Sequence, residues 1–267
     1  MQTSQFLVCP PDHYGVVYEI NPYMHTAIRV DQDDAKRQWE AFTDVLVSAG
    51  ASLVRQTPVA GLPDMVFTAN AAYVSGGAGL VSRFKYAERA GESVHVPAAL
   101  AAAGIASRSL PTAAGAFEGA GDVVPLGDTL LLGHGIRSSQ AAAPFLHAFA
   151  GKRVVPLRLV DPHFYHLDLV VCPLDQSHAL VYPGALDDDS WTRLRTLVPH
   201  PIVLSRAEAL SFCANSVVIG RAVLMHRIPN RLGRLLERLG FTPVEVPVTE
   251  FLKGGGSVRC LSLSLAG

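Results

Sequence analysis

The stretch "FYHLDLVVCPLDQSHALVYPG" (residues 164–184) has a pattern that recurs along the chain. A short polar motif precedes an apolar run, a turn follows, and a second apolar run closes the stretch, which predicts a β-hairpin. The same pattern occurs in "DMVFTANAAYVSGGAGLVSRF" (64–84), "FEGAGDVVPLGDTLLLGHG" (117–135) and "SFCANSVVIGRAVLMHRI" (211–228). The four stretches begin 47 to 53 residues apart, a period typical of a repeat architecture.

Segments with helical periodicity separate the hairpins. Residues 33–51 place Trp39, Phe42, Val45 and Leu46 on one stripe. Residues 229–241 repeat this design with four leucines (Leu232, Leu235, Leu236 and Leu239), and Gly240 is the expected C-cap. Residues 138–151 and 188–198 are shorter helix candidates.

The two ends of the chain supply a fifth set of strands, predicted within residues 5–20 and 257–265. Because the last strand needs partners, we expect it to pair with the N-terminal strands and close a ring of five units. No linker, low-complexity run or block of charge marks a domain boundary, so the sequence predicts a single domain over residues 1–267.

Composition limits the function classes. Hydrophobic residues make up 49% of the chain and charged residues 17%, which favours a large core over disorder. The formal net charge of −1 argues against nucleic acid or an anionic membrane as a partner. The four cysteines have no CxxC spacing, which argues against a zinc site or redox dithiol. Neither a signal peptide nor an 18-residue apolar run is present, so we expect a soluble, cytoplasmic protein with reduced thiols.

Unusual polar residues stand at the beginning of each predicted hairpin and in the last strand. They are Asp64, Asn70, Glu118, Asp122, His166, Asp168, Asn215 and Cys260. In a ring of repeats the same end of every unit points toward the axis, so we expect these side chains to converge. A thiol, an acid/base and carboxylates that bind a cation form a set suited to covalent catalysis.

Each of these residues also has a structural interpretation when it is considered alone. His166 is then a histidine whose hydrogen bonds are made by neighbouring residues, or one that is exposed at the surface. Glu118 and Asp122 cap turns or bind backbone N–H groups, and Asp64 initiates a turn. Cys260 is then a small hydrophobic core residue.

Four motifs, in their order and spacing, resemble the guanidino-group-modifying enzymes: "DMVFTANA", "FEGAGD", "FYHLD" and "GGGSVRCLSLSL". This group includes arginine deiminases, dimethylarginine dimethylaminohydrolases, amidinotransferases and arginine dihydrolases, and the resemblance covers essentially the whole chain. It implies the pentein fold, an α/β-propeller of five ββαβ units around a central channel. It also implies catalysis on a small-molecule substrate with neither a metal nor a cofactor.

The resemblance further implies roles for the catalytic residues. Cys260 matches the nucleophile that forms a covalent thiouronium intermediate, and His166 matches the acid/base. Glu118 matches the carboxylate that binds the guanidinium beside the histidine. Asp64 is placed like a second guanidinium-binding carboxylate. Asp168 is expected to orient the imidazole or to contact the substrate.

Two arginines match the positions that hold the α-carboxylate of the substrate in this family. They are Arg89 in "ERAGE" and Arg137 in "GHGIRSS", and Arg83 is a competitor for the same role.

Asn70 departs from the pattern of the deiminases and dimethylarginine hydrolases, which usually carry an aspartate in motifs such as "FTRD" or "FVED". Here the motif is "FTAN". It resembles instead the arginine dihydrolases, which share this asparagine and an "INPxM" stretch. The equivalent "INPYM" supplies Asn21. Turn or cap roles remain alternatives for both asparagines.

We therefore expect hydrolysis of L-arginine to ornithine, two ammonia and CO2. Dimethylarginine hydrolase and arginine deiminase are alternatives, as is an amidinotransferase with an amine in place of water. A non-catalytic pentein binding protein is an alternative of another class. The sequence leaves oligomeric state open.

Overall fold

A computed structural model describes residues 4–266. These residues form five three-stranded sheets, each with one antiparallel pair of strands and a third strand that is parallel to one member of that pair. The strands are β1 (Gln5–Val8), β2 (Ser52–Arg55), β3 (Ala72–Ser75), β4 (Ala78–Val81), β5 (Ala106–Ser109), β6 (Val123–Leu126), β7 (Thr129–His134), β8 (Arg153–Arg158), β9 (Val171–Pro173), β10 (His178–Val181), β11 (His200–Val203), β12 (Val217–Ile219), β13 (Ala222–Met225), β14 (Thr242–Glu245) and β15 (Leu263–Ser264).

In each unit, helical segments connect the second strand to the third. The α-helices are α1 (Gln32–Ser48), α2 (Ala87–Ala90), α3 (Val96–Ala102), α4 (Gly119–Asp122), α5 (Ala143–Ala150), α6 (Asp188–Leu197), α7 (Arg206–Leu210), α8 (Asn230–Arg238) and α9 (Thr249–Leu252). Short 3₁₀ helices span Pro63–Val66, Thr68–Asn70, Gly91–Val94, Thr112–Ala114, Gln140–Ala142, Pro162–Phe164, Leu167–Leu169 and Pro183–Ala185. The expected ββαβ units are confirmed.

The two ends of the chain close the ring. β15 pairs antiparallel with β1, where Leu263 opposes Leu7. β1 also pairs in parallel with β2, so the fifth sheet has the same pattern as the other four. The predicted α/β-propeller of five units is therefore present, and its last unit is assembled from the first and last strands.

The predicted helical stripes face the core. Trp39, Phe42 and Leu46 of α1 are buried, and Leu232 and Leu236 of α8 are buried. Burial of these apolar faces supplies most of the stabilisation that holds the helices against the sheets, because isolated helices of this length are marginal in water.

The predicted terminal strands were too long. The first ends at Val8, and residues 9–31 form neither strand nor helix until α1 begins. Pro10 and Pro11 stand one residue beyond the end of β1 and lack the N–H donors that a sheet ladder requires. At the other end, Cys260 lies in a turn that precedes β15 and not in a strand.

The Ala-rich helix α3 was not predicted from the sequence.

Among the described residues, no helix is long and apolar enough to cross a membrane.

The first strand of each unit lies nearest the axis of the ring. Tyr73, Val124, Pro173, Val217 and Ser264, from five different sheets, line one central cavity of about 280 Å³. Because the polar motifs precede these strands in sequence, the ring brings the motifs together at one end of the axis.

Candidate active site

A second, smaller cavity lies where the polar motifs meet. It is lined by Ile20, Asn21, Asp64, Phe67, Asn70, Arg89, Arg137, Tyr165, Gly254, Gly256 and Cys260. These residues come from the irregular segment 9–31, from the polar motifs before β3 and β9, from the segments that follow β4 and β7, and from the turns before β15. Of the polar residues expected to converge, Asp64, Asn70 and Cys260 line this cavity, and His166, Asp168 and Asn215 contact these lining side chains.

Cys260 is 2% exposed and borders this cavity. Its Sγ accepts a hydrogen bond from Asn215 Nδ2 at 3.1 Å and lies 3.6 Å from Asp168 Oδ2. Burial, together with the negative charge of Asp168, raises the pKa of the Cys260 thiol well above its usual range. A cationic ligand beside the sulfur would favour the thiolate, so the site is suited to a positively charged substrate.

The three glycines before this turn are required by close packing. A Cβ at Gly254 would lie 2.7 Å from Tyr14 Oη, and a Cβ at Gly256 would lie 2.4 Å from Phe67 Cε1 and 2.9 Å from Cys260 Cβ. Gly255 has a φ of +88°, in the left-handed region that glycine tolerates best. The glycine run thus lets the chain pass between aromatic rings and bring Cys260 to the cavity.

We expect Gly256→Ala to lower kcat/KM by about tenfold or more, because the added methyl group displaces Cys260 or Phe67. Overpacking of this kind also costs about 1–3 kcal/mol of unfolding free energy. Steady-state kinetics and thermal melting test both effects. Gly15→Ala is the matched control, since a Cβ there meets only Val17 Cγ1 at 3.9 Å. Equal activity of the two variants would contradict this account of the glycine run.

His166 forms a buried pair with Glu118. The ring Nε2 lies 2.7 Å from Glu118 Oε2, and Arg137 Nη1 donates to the same oxygen at 3.1 Å. Burial alone would raise the pKa of Glu118, but Arg137 and the His166 hydrogen bond outweigh it and hold that pKa well below its usual range. Glu118 is therefore a carboxylate at neutral pH, and it fixes the imidazole in position.

The second ring nitrogen of His166 faces Asn70. Arg89 Nη1 donates to Asn70 Oδ1 at 2.9 Å, which leaves Asn70 Nδ2 directed at His166 Nδ1, 3.4 Å away. An amide nitrogen can only donate, so His166 Nδ1 acts as the acceptor and Nε2 carries the proton toward Glu118. These partners assign a neutral imidazole with its proton on Nε2.

Asp64 and Arg89 form the opposite wall of the cavity. Tyr18 Oη donates to Asp64 Oδ2 at 3.0 Å, and Arg89 Nε lies 3.8 Å from the same oxygen. Burial raises the pKa of Asp64. Among the described residues, Asp64 Oδ1 has no hydrogen-bond partner, so it is a free acceptor at the cavity.

Both candidate carboxylate-binding arginines line the cavity, and each is already paired with a carboxylate. Arg89 forms two hydrogen bonds with Glu92, at 2.7 and 2.9 Å. Arg137 lies between the rings of Tyr86 and Tyr165 and donates to Glu118. A substrate carboxylate would therefore have to share these guanidinium groups, and the predicted role of the two arginines stays a prediction.

Arg83 does not line the cavity. Its Nη2 donates to the carbonyl of Leu110, so its side chain supports a neighbouring loop.

Asp168 does not contact the imidazole, which differs from the expected orienting role. It lies in the 3₁₀ turn that follows His166, and side chains two residues apart in such a turn point in different directions. Its Oδ2 faces the thiol, and its Oδ1 has no partner among the described residues. Burial raises the pKa of Asp168 to about 7.

Asn21 borders the cavity and holds the segment 9–31 against the glycine run. Its Nδ2 donates to the carbonyl of Gly254 at 3.0 Å, and its Oδ1 accepts from the backbone N–H of Tyr23 at 2.9 Å. Asn21 therefore stabilises the turn that the Asn-Pro dipeptide suggested, and it also lies at the cavity.

Two further members of the converging set, to which the family resemblance gave no catalytic role, are buried and have defined contacts. Asp122 accepts hydrogen bonds from Ser138 Oγ and from the backbone N–H of Leu167, which fixes the turn beside His166. Asn215 contacts the nucleophile candidate directly. Their positions at the beginnings of two predicted hairpins had already placed them among the residues expected to converge.

The chain resembles known proteins along most of its length. It is 40% identical over 265 residues to the bifunctional arginine dihydrolase/ornithine cyclodeaminase AgrE of Nostoc sp., which is 97% of this chain and 37% of that protein. It is 36% identical over 264 residues to the N(G),N(G)-dimethylarginine dimethylaminohydrolase of Mycobacterium tuberculosis, covering 99% of this chain and 86% of that enzyme. The chain thus spans little more than a third of the dihydrolase relative. No protein-family model matches it.

Among solved structures, the N-terminal domain of ArgZ, a cyanobacterial arginine dihydrolase bound to its product, superposes with a TM-score of 0.95. The sequences are 37% identical, and the match covers 99% of this chain and 98% of that domain. The fold is thus shared over the whole described chain.

Proposed function

The chain belongs to the guanidino-group-modifying enzymes, the family of pentein fold that includes dimethylarginine dimethylaminohydrolases and arginine dihydrolases, and we propose that it hydrolyses the guanidino group of L-arginine. In this proposal the enzyme is an arginine dihydrolase that forms ornithine, two ammonia and CO2. The same proposal has three further parts. The enzyme is cytoplasmic, it acts without a metal or cofactor, and its substrate is a free amino acid.

One observation carries the proposal: the buried thiol of Cys260 and an unpaired oxygen of Asp64 are at one cavity, and His166 and Asp168 lie directly behind the residues that line it. Asp64 Oδ1 and Asp168 Oδ1 have no partner among the described residues, although each is buried. Unpaired buried acceptors are costly, and a guanidinium group supplies planar N–H donors that would satisfy them. The same cation would stabilise the thiolate of Cys260.

The first hydrolysis would begin with attack of Cys260 Sγ on the guanidinium carbon. The thiol proton of Cys260 passes to His166, and the resulting imidazolium is the acid that protonates the departing nitrogen, which leaves as ammonia, so that a covalent thiouronium intermediate remains. His166 then accepts a proton from the attacking water, and breakage of the C–S bond gives a ureido group. Glu118 holds the imidazole for both steps.

The second hydrolysis would require the neutral ureido group to stay beside Cys260. Asn70 supports this, because its amide places no second negative charge beside the product and offers both a donor and an acceptor. A second attack of Cys260 would release ammonia, and hydrolysis of the resulting thiocarbamate would yield ornithine and CO2. In total, arginine and two water molecules give ornithine, two ammonia and CO2.

Parallel assays with L-arginine and with dimethylarginine test the choice of substrate. We expect kcat/KM for dimethylarginine to be lower by about 100-fold or more, because two methyl groups block hydrogen bonds from the guanidinium to the buried carboxylates and leave them unpaired. Ammonia and dimethylamine are quantified separately. Release of dimethylamine at a rate equal to that of ammonia from arginine would instead favour a dimethylarginine hydrolase.

A further inference from the structure

Asn215 connects the fourth unit of the propeller to the turn that carries Cys260. Its side chain is fully buried. Its Nδ2 donates to Cys260 Sγ at 3.1 Å and lies 3.4 Å from the carbonyl oxygen of Asp168. Its Oδ1 accepts from the backbone N–H groups of Ser257 at 3.1 Å and of Cys260 at 3.2 Å. Every hydrogen-bonding atom of this amide is therefore used on or beside the candidate nucleophile.

These partners fix the orientation of the amide. Two backbone N–H groups converge on Oδ1, and only an oxygen can accept both. A flipped amide would direct its own N–H groups at these donors and leave them unsatisfied. The N–H of Asn215 must therefore face the sulfur.

The backbone around Asn215 is held as firmly as its side chain. Its N–H donates to the carbonyl of Phe212 at 2.9 Å, and its own carbonyl accepts from Arg259 N–H at 3.4 Å. Phe212 has a φ of 59° and is the only non-glycine residue with a positive φ among those described. Such a conformation is costly and persists where the surrounding structure enforces it, as at functional sites.

We propose that Asn215 is a positioning residue for the reaction: it fixes the turn 257–260 and donates a hydrogen bond that stabilises the thiolate of Cys260. This inference rests on the proposed function, in which Cys260 is the nucleophile. A hydrogen bond to an ionised sulfur is stronger than one to a thiol, so the donor favours the reactive form.

It matters that the Asn215 side chain carries no charge, because a carboxylate already lies beside the sulfur. Asp168 Oδ2 lies 3.6 Å from Sγ, and a negative charge at this distance disfavours the thiolate. A carboxylate at position 215 would add a second negative charge beside the sulfur. An amide provides the same acceptor for the turn and places a donor at the sulfur.

Alkylation of Cys260 by iodoacetamide, followed from pH 6 to 10 by mass mapping of the modified peptide, tests the proposal. Asn215→Asp keeps the acceptor for the two backbone N–H groups but replaces the donor at the sulfur with an oxygen. We expect its alkylation to be about tenfold slower or more at every pH below the thiol pKa, which corresponds to a pKa higher by about one unit. The assay needs no turnover, so it is independent of whether arginine is the substrate.

Ser216→Ala is the matched control. It removes a buried hydrogen bond, from Ser216 Oγ to the carbonyl of Cys213 at 2.8 Å, in the same turn but away from the sulfur. We expect this variant to melt at a lower temperature and to show the pH profile of the wild type.

If Asn215→Asp does not fold, Asn215→Ser provides the second measurement, because its shorter side chain loses the contact with the sulfur without adding a charge. We expect a pH midpoint shifted upward in this variant too. A folded Asn215 variant whose alkylation profile coincides with that of the wild type would overturn the proposal.

Discussion

Replacing Cys260 with serine is expected to reduce the turnover of L-arginine by roughly 10⁴-fold or more while the fold is retained. A serine hydroxyl is a far weaker nucleophile than a thiolate near neutral pH. Serine is also smaller than cysteine, and Asn215 Nδ2 can still donate to its oxygen, so the turn is preserved. Product formation measured with excess enzyme, beside a thermal melt, separates the chemical effect from a folding defect.

Cys213→Ser is the matched control for this variant. Cys213 is fully buried, does not line the site cavity and, among the described residues, has no hydrogen bond to Cys260 or His166. We expect its substitution to lower stability, because a hydroxyl is buried in an apolar environment, and to leave turnover near that of the wild type. If Cys260→Ser retained activity within tenfold of the wild type, a covalent mechanism through this residue would be ruled out.

The Asn70→Asp variant is expected to change the product from ornithine to citrulline. A carboxylate at this position would accept a hydrogen bond from Arg89, as the amide does, but it could no longer donate to His166 Nδ1. It would instead draw a proton onto Nδ1 and favour an imidazolium. A ureido product would then face an added negative charge and a histidine that is already protonated, so it would leave before a second attack.

We expect the ratio of ornithine to citrulline to fall by about tenfold or more in Asn70→Asp, which corresponds to about 1.4 kcal/mol in the partition between release and second attack. Asn70→Ser is a second test, since it removes the amide without adding charge, and we expect it to release citrulline as well. Chromatography of the amino acid products measures both variants. If Asn70→Asp still released two ammonia for each ornithine, the role assigned to Asn70 would be wrong.

The ring of five units was predictable because the hairpin pattern repeats at regular intervals and the ends of the chain are each short of a partner strand. The pairing of Leu7 with Leu263 confirms that reasoning. The extents of the terminal strands were not predictable from apolar runs alone. Pro10 and Pro11 interrupt the ladder after β1, and the packing around Gly254–Gly256 places Cys260 in a turn.

The convergence of the polar residues was predictable, because they occupy equivalent places in the repeat. The contacts that individual pairs of these residues make were not predictable in this way. Sequence spacing alone placed Asp168 near His166, whereas the 3₁₀ turn directs its carboxylate at Cys260. Arg137 similarly reaches Glu118 because its side chain lies between two tyrosine rings from distant segments. Such directions depend on turns and on packing partners that no single motif encodes.

The ratio of ammonia to ornithine tests the central proposal most directly. The purified enzyme is incubated with L-arginine, and ammonia, ornithine and citrulline are quantified over time in the same samples. Two hydrolyses at one Cys260 predict two ammonia for each ornithine, with little free citrulline at any time. One ammonia for each arginine consumed, with citrulline as the final product, would contradict the dihydrolase account.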